Sequence, residues 1–245
     1  MDTGGSLKRF TLRRRIYEMV KEQILNQSIP PGTRIMEGDI SEELGVSRTP
    51  VREAMSQLER DGLVRVEPRR GIFVKEVCEK DIIDVCEVRE VLEALAIRKA
   101  AALASDEQVQ ELRAISQEYA DAYLYGEHSQ CITLDRKFHE TLAAIAGNGK
   151  LEELIGEISD LVQMTRLMDC RYAANFEATI AEHNEIIEAV AAHNVDAAAV
   201  ALEKHMRRVK GNLISSITRD KNSGRLEAAR TRADNTVARE ESSVS

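Results

Sequence analysis

Two sets of side chains in this sequence have the types and the spacing to do chemistry. The first lies in the run LDRKFHE, where Asp135 and His139 stand four residues apart. On a helix that spacing places both on one face, so a carboxylate oxygen and a ring nitrogen can share one metal ion. His183 and His205 occupy two later stretches with helical patterning, and a helical bundle can aim residues from three helices at one interior point. One Asp and three His suit a divalent metal ion, Zn first, with Ni, Mn or Fe as alternatives. The competing reading makes each histidine a packed, hydrogen-bonded core residue. His128 and His193 lie near expected helix ends, where an imidazole often serves the helix dipole instead.

The second set is Arg48, Thr49 and Arg52, within GVSRTPVREAMSQLERDG at 45–62. Ser47 or Thr49 can cap a helix, and Pro50 fits its first turn. Val51, Met55 and Leu58 recur at helical spacing, and Gly62 sits where a helix should stop. The opposite side of the first two turns then presents two fork-shaped cations and a hydroxyl. An Arg can hold guanine O6 and N7 with two hydrogen bonds, and a hydroxyl can serve a base or a phosphate. Taken alone, such a face reads first as a solvated helix surface.

The elements that must position these residues sharpen both readings. Before 45–62, residues 37–44 make a short helix and Gly45 a sharp turn, so two helices meet at an angle. After it come two short β-rich runs, 63–66 and 72–74, joined by Pro68, Arg69, Arg70 and Gly71. A helix-turn-helix followed by a hairpin is a winged helix. The wing tip is cationic through Arg70, and Gly71 lets the backbone approach a phosphate or a minor groove. An earlier helix, about 12–26, uses Leu12, Ile16, Met19, Val20 and Ile24 as its apolar side and stops at Pro30 and Pro31. Residues 1–9 read as mobile, and the basic run from Lys8 to Arg15 as either a solvated face or a phosphate contact.

Past Val77 strand signals vanish and Ala, Leu and Glu dominate. The patterning predicts six to seven helices. The first spans about 79–104 and turns Ile83, Cys86, Val91, Leu95 and Ile97 inward. The next four cover about 106–125, 129–146, 150–168 and 175–193, and a further one 197–216. Ser105 and Asp196 are the expected caps of the second and the last. The expected fold class is therefore mainly α. A winged helix-turn-helix of three helices plus a β-hairpin wing (8–75) precedes an all-helical bundle (79–218), and a polar tail (220–245) reads as disordered.

Composition sets limits on partners. The 245 residues carry a net charge of −8, which looks wrong for a nucleic-acid binder until it is divided. Residues 1–75 hold 14 Lys and Arg against 11 Asp and Glu, and the rest hold 20 against 31. A cationic head and an acidic body would orient the chain on a duplex. No long apolar run or leader pattern suggests a membrane or export, so a cytoplasmic protein without membrane partners is expected. Cys78, Cys86, Cys131 and Cys170 form no CxxC pair and read as reduced, mostly buried side chains.

The segment IPPGTRIMEGDISEELGVSRTPVREAMSQLERDGLVRVEPRRGIFV resembles the DNA-binding domain of GntR-family bacterial transcription regulators. Its PPG, GVSRTPVRE, DGLV and RRGxFV elements stand at the family's spacing. The resemblance implies that Arg48, Thr49, Arg52 and Gly71 touch double-stranded operator DNA, with Ser47 on a phosphate. Some members place an Arg near the position of Gly38, a contact glycine cannot make. The helical part resembles the FCD ligand-sensing domain, an antiparallel bundle found in FadR-like members. In that domain's metal-containing branch an Asp and a His come from a DxxxH helix and two His from later helices. Asp135, His139, His183 and His205 match these positions one by one. The branch that binds acyl-CoA lacks the histidines.

The resemblance further implies a homodimer and a small organic acid effector that completes the metal's coordination. Arg89, in VREVLEA, matches a position that often faces the effector, where it would pair with a carboxylate; its alternative is a salt bridge to Glu93 or Glu90. Family habit favours repression relieved by the effector, with activation as the other sign. A metal-dependent, hydrolase-like enzyme would need a base or nucleophile that no spacing here supplies. An architectural DNA-binding protein would leave the histidines structural.

Overall fold

The computed structural model describes residues 3–166 and 176–215. The polar tail at 220–245 and Cys170 lie outside these residues. The chain begins with α1 (Thr3–Leu25), β1 (Arg34–Ile35), α2 (Glu37–Glu43), α3 (Arg48–Arg60), β2 (Val64–Glu67) and β3 (Gly71–Val74). Ile16, Val20 and Ile24 recur every four residues on α1 and meet Val51, Ala54, Met55 and Leu58 of α3 in one buried cluster. This packing holds α3 from behind and leaves its other face to solvent. Gly45, at φ +62°, makes the turn between α2 and α3. The end of α3 is equally local: the Leu63 amide donates to Leu58 O and the Gly62 amide to Glu59 O, the Schellman pattern with glycine in the left-handed position.

Two differences from expectation concern this head. The first helix starts at Thr3 rather than near Leu12, so the Gly-Gly-Ser stretch does not prevent it. Such residues cost about 1 kcal/mol or less each in a helix that is already nucleated. The wing is also larger than a hairpin. β1 pairs with β3, giving a three-stranded antiparallel sheet in the order β1-β3-β2. Two residues of strand were too short to show a period in the sequence.

The body follows as α4 (Glu79–Leu103), α5 (Asp106–Leu124), α6 (His128–Ile145), α7 (Gly149–Arg166) and α8 (Phe176–Ala191), then a last helix, α9, over 195–215. Short turns join most of these helices, so sequence neighbours run antiparallel around a core that includes Ile97, Leu112, Phe138, Ile186 and Leu202. Ser105 caps α5 as expected, through a reciprocal pair with Gln108. Asn194, not Asp196, caps α9: its Oδ1 accepts from the Ala197 amide, while Asp196 reaches Arg98.

One expected core pair proves wrong. Val91 and Leu95 of α4 are 71% and 47% exposed, and with Val88 they form an apolar stripe facing away from the bundle.

Head and body share packing. Met164 and Leu161 of α7 join the head's apolar cluster. Leu161 Cδ2 lies 3.4 Å from where a Cβ on Gly62 would sit, against the end of α3. Beside them Lys21 of α1 pairs with Asp160 of α7 at 2.5 Å.

Candidate metal centre and nucleic-acid interface

α6, α8 and α9 bring Asp135, His139, His183 and His205 to one buried point. One ligand atom from each lies within 4.8 Å of all the others. Asp135 Oδ2 is 3.9 Å from His139 Nε2, and Asp135 Oδ1 is 3.6 Å from His183 Nε2. Donors around one ion with bonds of about 2.1 Å stand about 3.0 to 3.4 Å apart when adjacent and about 4.2 Å when opposite, so a contraction of about an ångström closes the cage.

The orientation of the rings argues for a ligand set rather than core histidines. His139 Nδ1 is held by Glu93 Oε2, and His205 Nδ1 lies 2.8 Å from Glu182 Oε2. Each carboxylate takes an Nδ1–H and leaves the Nε2 lone pair aimed inward. His139 Nε2 and His205 Nε2 are buried with no hydrogen-bond partner among the described residues, which is costly unless something else binds there. His183 is fixed differently, stacked on Phe138 at 3.9 Å between ring centroids and set edge-on to Tyr119.

The electrostatics agree. Burial pushes the His205 pKa down, only partly offset by Glu182, which favours the neutral imidazole a metal requires. Burial would raise Glu93 and Glu182, but charged and hydrogen-bonding neighbours win and hold each at about 2. Those neighbours are Arg89 and His139 for Glu93, and His205 and Arg208 for Glu182. Both carboxylates therefore stay ionised as acceptors for the rings.

Arg89 is buried, and its Nε donates to Glu93, the alternative partner expected for it. It also borders a cavity of about 10 Å³ with Asp135, Arg136, Ser159 and Gln163, room for a single water-sized group. Arg136, next to Asp135 in sequence, bonds Asp160 Oδ1 at 2.5 Å and Glu140 at 2.7 Å. Sequence reasoning offered Glu93 only as a salt-bridge partner of Arg89, not as a support of His139, and missed Glu182 and Asp160. A signal existed for both glutamates: Glu93 is one helical turn after Arg89, and Glu182 precedes His183.

At the other end of the chain Ser47, Arg48, Thr49 and Arg52 are exposed at the start of α3, and Arg70 is exposed on the wing. Ser47 occupies the N-cap position without a side-chain cap bond, so its hydroxyl is not consumed by the helix. Arg52 Nη2 lies 3.4 Å from Glu37, and Arg70 pairs with Glu67. Gly71 has φ +120°, a conformation that penalises any side chain. α3 and the wing bound a cleft of about 520 Å³ that includes Arg48, Arg52 and Gly71.

Known proteins resemble the chain along most of its length. Residues 12–74 match the bacterial regulatory proteins of the gntR family, and residues 84–208 match the FCD domain. The uncharacterized HTH-type transcriptional regulator YdhC of Bacillus subtilis (strain 168) is 33% identical over 183 residues, 74% of this chain and 82% of that protein. The HTH-type transcriptional repressor RspR of Escherichia coli (strain K12) is 26% identical over 198 residues, 81% of this chain and 87% of that protein. The solved structure of E. coli McbR/YncC shares the fold, with a TM-score of 0.74 at 22% identity, covering 84% of this chain and 98% of that one. Among the described residues no helix is long and apolar enough to cross a membrane. A winged-helix head matching one family over residues 12–74, joined to a bundle matching the FCD domain, makes this chain a member of the GntR family's FCD-containing, FadR-like subfamily, a DNA-binding transcriptional regulator.

Proposed function

We propose that this regulator is a cytoplasmic homodimer that senses a small organic acid through a divalent metal ion, and that it acts as a repressor released by that acid. The observation that carries the reading is the inward convergence of Asp135, His139, His183 and His205, with the far nitrogens of His139 and His205 already tied to Glu93 and Glu182. Four protein donors leave positions open on an ion that accepts six. Zn fits the donor set best, and Ni, Mn and Fe also suit it. When bound, the ion would supply a Lewis-acidic point for a carboxylate or hydroxyl. The head, of residues 8–75, holds DNA through Ser47, Arg48, Thr49, Arg52, Arg70 and Gly71; the body, of residues 79–218, senses and dimerises.

Coupling between the two follows from the cavity beside Asp135. It admits one water-sized group, so an acid must displace Arg89, Arg136 or the α7 side chains Ser159 and Gln163. Displacement of Arg89 would free it from Glu93 to meet the acid's carboxylate. α7 also touches the head, through Asp160, Leu161 and Met164. An acid that prefers the displaced arrangement therefore shifts the head's position, by no more than its differential affinity for the two states. The apolar stripe of Val88, Val91 and Leu95 supports dimerisation along α4, which would set two recognition helices on successive major grooves. The name of the 26% identical RspR supports the repressor sign. An enzyme reading finds no spare base at the cluster, since Glu93 and Glu182 are engaged by imidazole and guanidinium groups.

The test is elemental analysis of the purified protein followed by a thermal-shift panel of small organic acids, with and without chelator. We expect bound metal, and a rise in melting temperature with the right acid that vanishes when metal is stripped. Metal-free protein that cannot be loaded, or a shift indifferent to chelator, would remove the metal from the account.

A further inference from the structure

We propose that Arg34 clamps a phosphate of the DNA backbone at the ridge between the groove read by α3 and the groove met by the wing. The proposal rests on the winged-helix assignment of the head and adds to it a contact the helix-turn-helix motif does not contain. Arg34 belongs to β1, where it stands opposite Phe73 of β3. From there its side chain slants across β3 to Gly71. A Cβ on Gly71 would lie 2.8 Å from Arg34 Nε, 3.3 Å from Nη2 and 3.4 Å from Cζ. The Nε and Nη2 edge of the guanidinium thus leans over Gly71, which has no side chain to block it. Gly71 is required twice, once for its φ of +120° and once as the berth for this cation.

The charge on Arg34 is also unspent. Arg52 has Glu37, Arg65 has Glu67 and Glu76, and Arg70 has Glu67. Arg34 is exposed and takes no carboxylate or hydrogen-bond acceptor among the described residues. It leans against Gly71, and no acceptor among the described residues takes its N–H donors. A restrained guanidinium loses less entropy on binding than a free one, and its planar fork matches phosphate oxygens.

Location decides phosphate over base. Arg34 shares the cleft between α3 and the wing with Arg48 and Arg52, on a floor that includes Ile35, Met55 and Ile72; Glu37 and Glu59 also border it. The α3 residues project furthest and enter the major groove. A side chain on β1, set back between helix and wing, meets the strand of backbone that separates the two grooves. Such a contact fixes register without reading sequence.

The experiment uses the full chain and two labelled duplexes: one selected by the wild-type protein from a randomised library, and a scrambled duplex of equal length. Anisotropy titrations run from roughly 50 to 200 mM salt. Arg34→Gln should weaken both duplexes by the same factor, about tenfold per protomer, and lower the slope of log K against log salt by about 0.9 per protomer. Arg34→Lys should restore the slope but not the full affinity. Arg52→Ala, the contrast, should weaken the selected duplex about 5- to 150-fold and erode its preference. Unchanged melting temperatures would show that the exposed position tolerates these changes. Unaltered affinity and slope for Arg34→Gln would overturn the clamp, as would a loss confined to the selected duplex. Wild-type protein indifferent to both DNA and salt would instead overturn the head's assignment, and the clamp with it.

Discussion

At the residue scale, two kinds of buried acid do different work. Asp135 faces the point where three imidazoles converge, whereas Glu93 and Glu182 stand behind the rings and set which nitrogen faces inward. Glu182 also accepts from the Nε and Nη2 of Arg208, which keeps it charged. Glu182→Gln keeps the shape but weakens the hold on His205 Nδ1. Metal affinity should fall about 10- to 100-fold with the fold retained, read by competition with a chromophoric chelator. Equal affinity in the variant would mean that the ring is positioned by packing alone. The four inward residues were legible in the sequence because Asp135 and His139 share a helix face and, with His183 and His205, match the metal-containing branch of the FCD domain one by one. Glu182 was not singled out, since an acid beside a histidine in an acidic helix looks like solvated surface. Arg34 was hidden for a similar reason: its role depends on a two-residue strand and on a glycine 37 positions later.

At the element scale, α7 is the helix with two obligations. Ser159 and Gln163 border the cavity beside Asp135, while Asp160, Leu161 and Met164 meet the head. Asp160 is the link that touches both sides, with one oxygen on Lys21 and the other on Arg136. Lys21→Met cuts only the head's side of that link and leaves Asp160 paired with Arg136. The variant should keep its metal and its DNA binding, but the change in DNA affinity caused by the acid should shrink. Coupling of this kind is typically worth about 1 to 3 kcal/mol. The ratio of affinities with and without acid is the readout, and an undiminished ratio would exclude the Lys21–Asp160 pair as part of the route. The existence and length of α7 could be read from periodicity. Its double contact could not, because a helical period says which face is apolar and not which neighbour covers it.

At the scale of the whole molecule, the same ambiguity explains the misplaced pair on α4. Val91 and Leu95 follow the spacing of a core face yet are exposed in the single chain, which the proposed dimerisation along α4 would explain. With Val88 they lie within about two turns of one helix, the geometry of a seam between two α4 helices. Val91→Glu should convert a dimer to a monomer in sedimentation and weaken DNA binding steeply, because two half-sites no longer bind as one unit. Its metal content should be unchanged, since the cage lies inside one chain. A variant that remains dimeric would move the seam elsewhere.

Met164, buried in the head's cluster although it belongs to α7, has a consequence for modular exchange. A fragment ending near residue 78 would lose that methionine and expose the apolar hollow it fills, so the reader is not a portable cassette. Grafted onto a foreign sensor, it would bind duplex only if the new bundle offered a matching side chain at the same height. The boundary at which this protein could be cut and spliced therefore does not coincide with the linker that the chain displays.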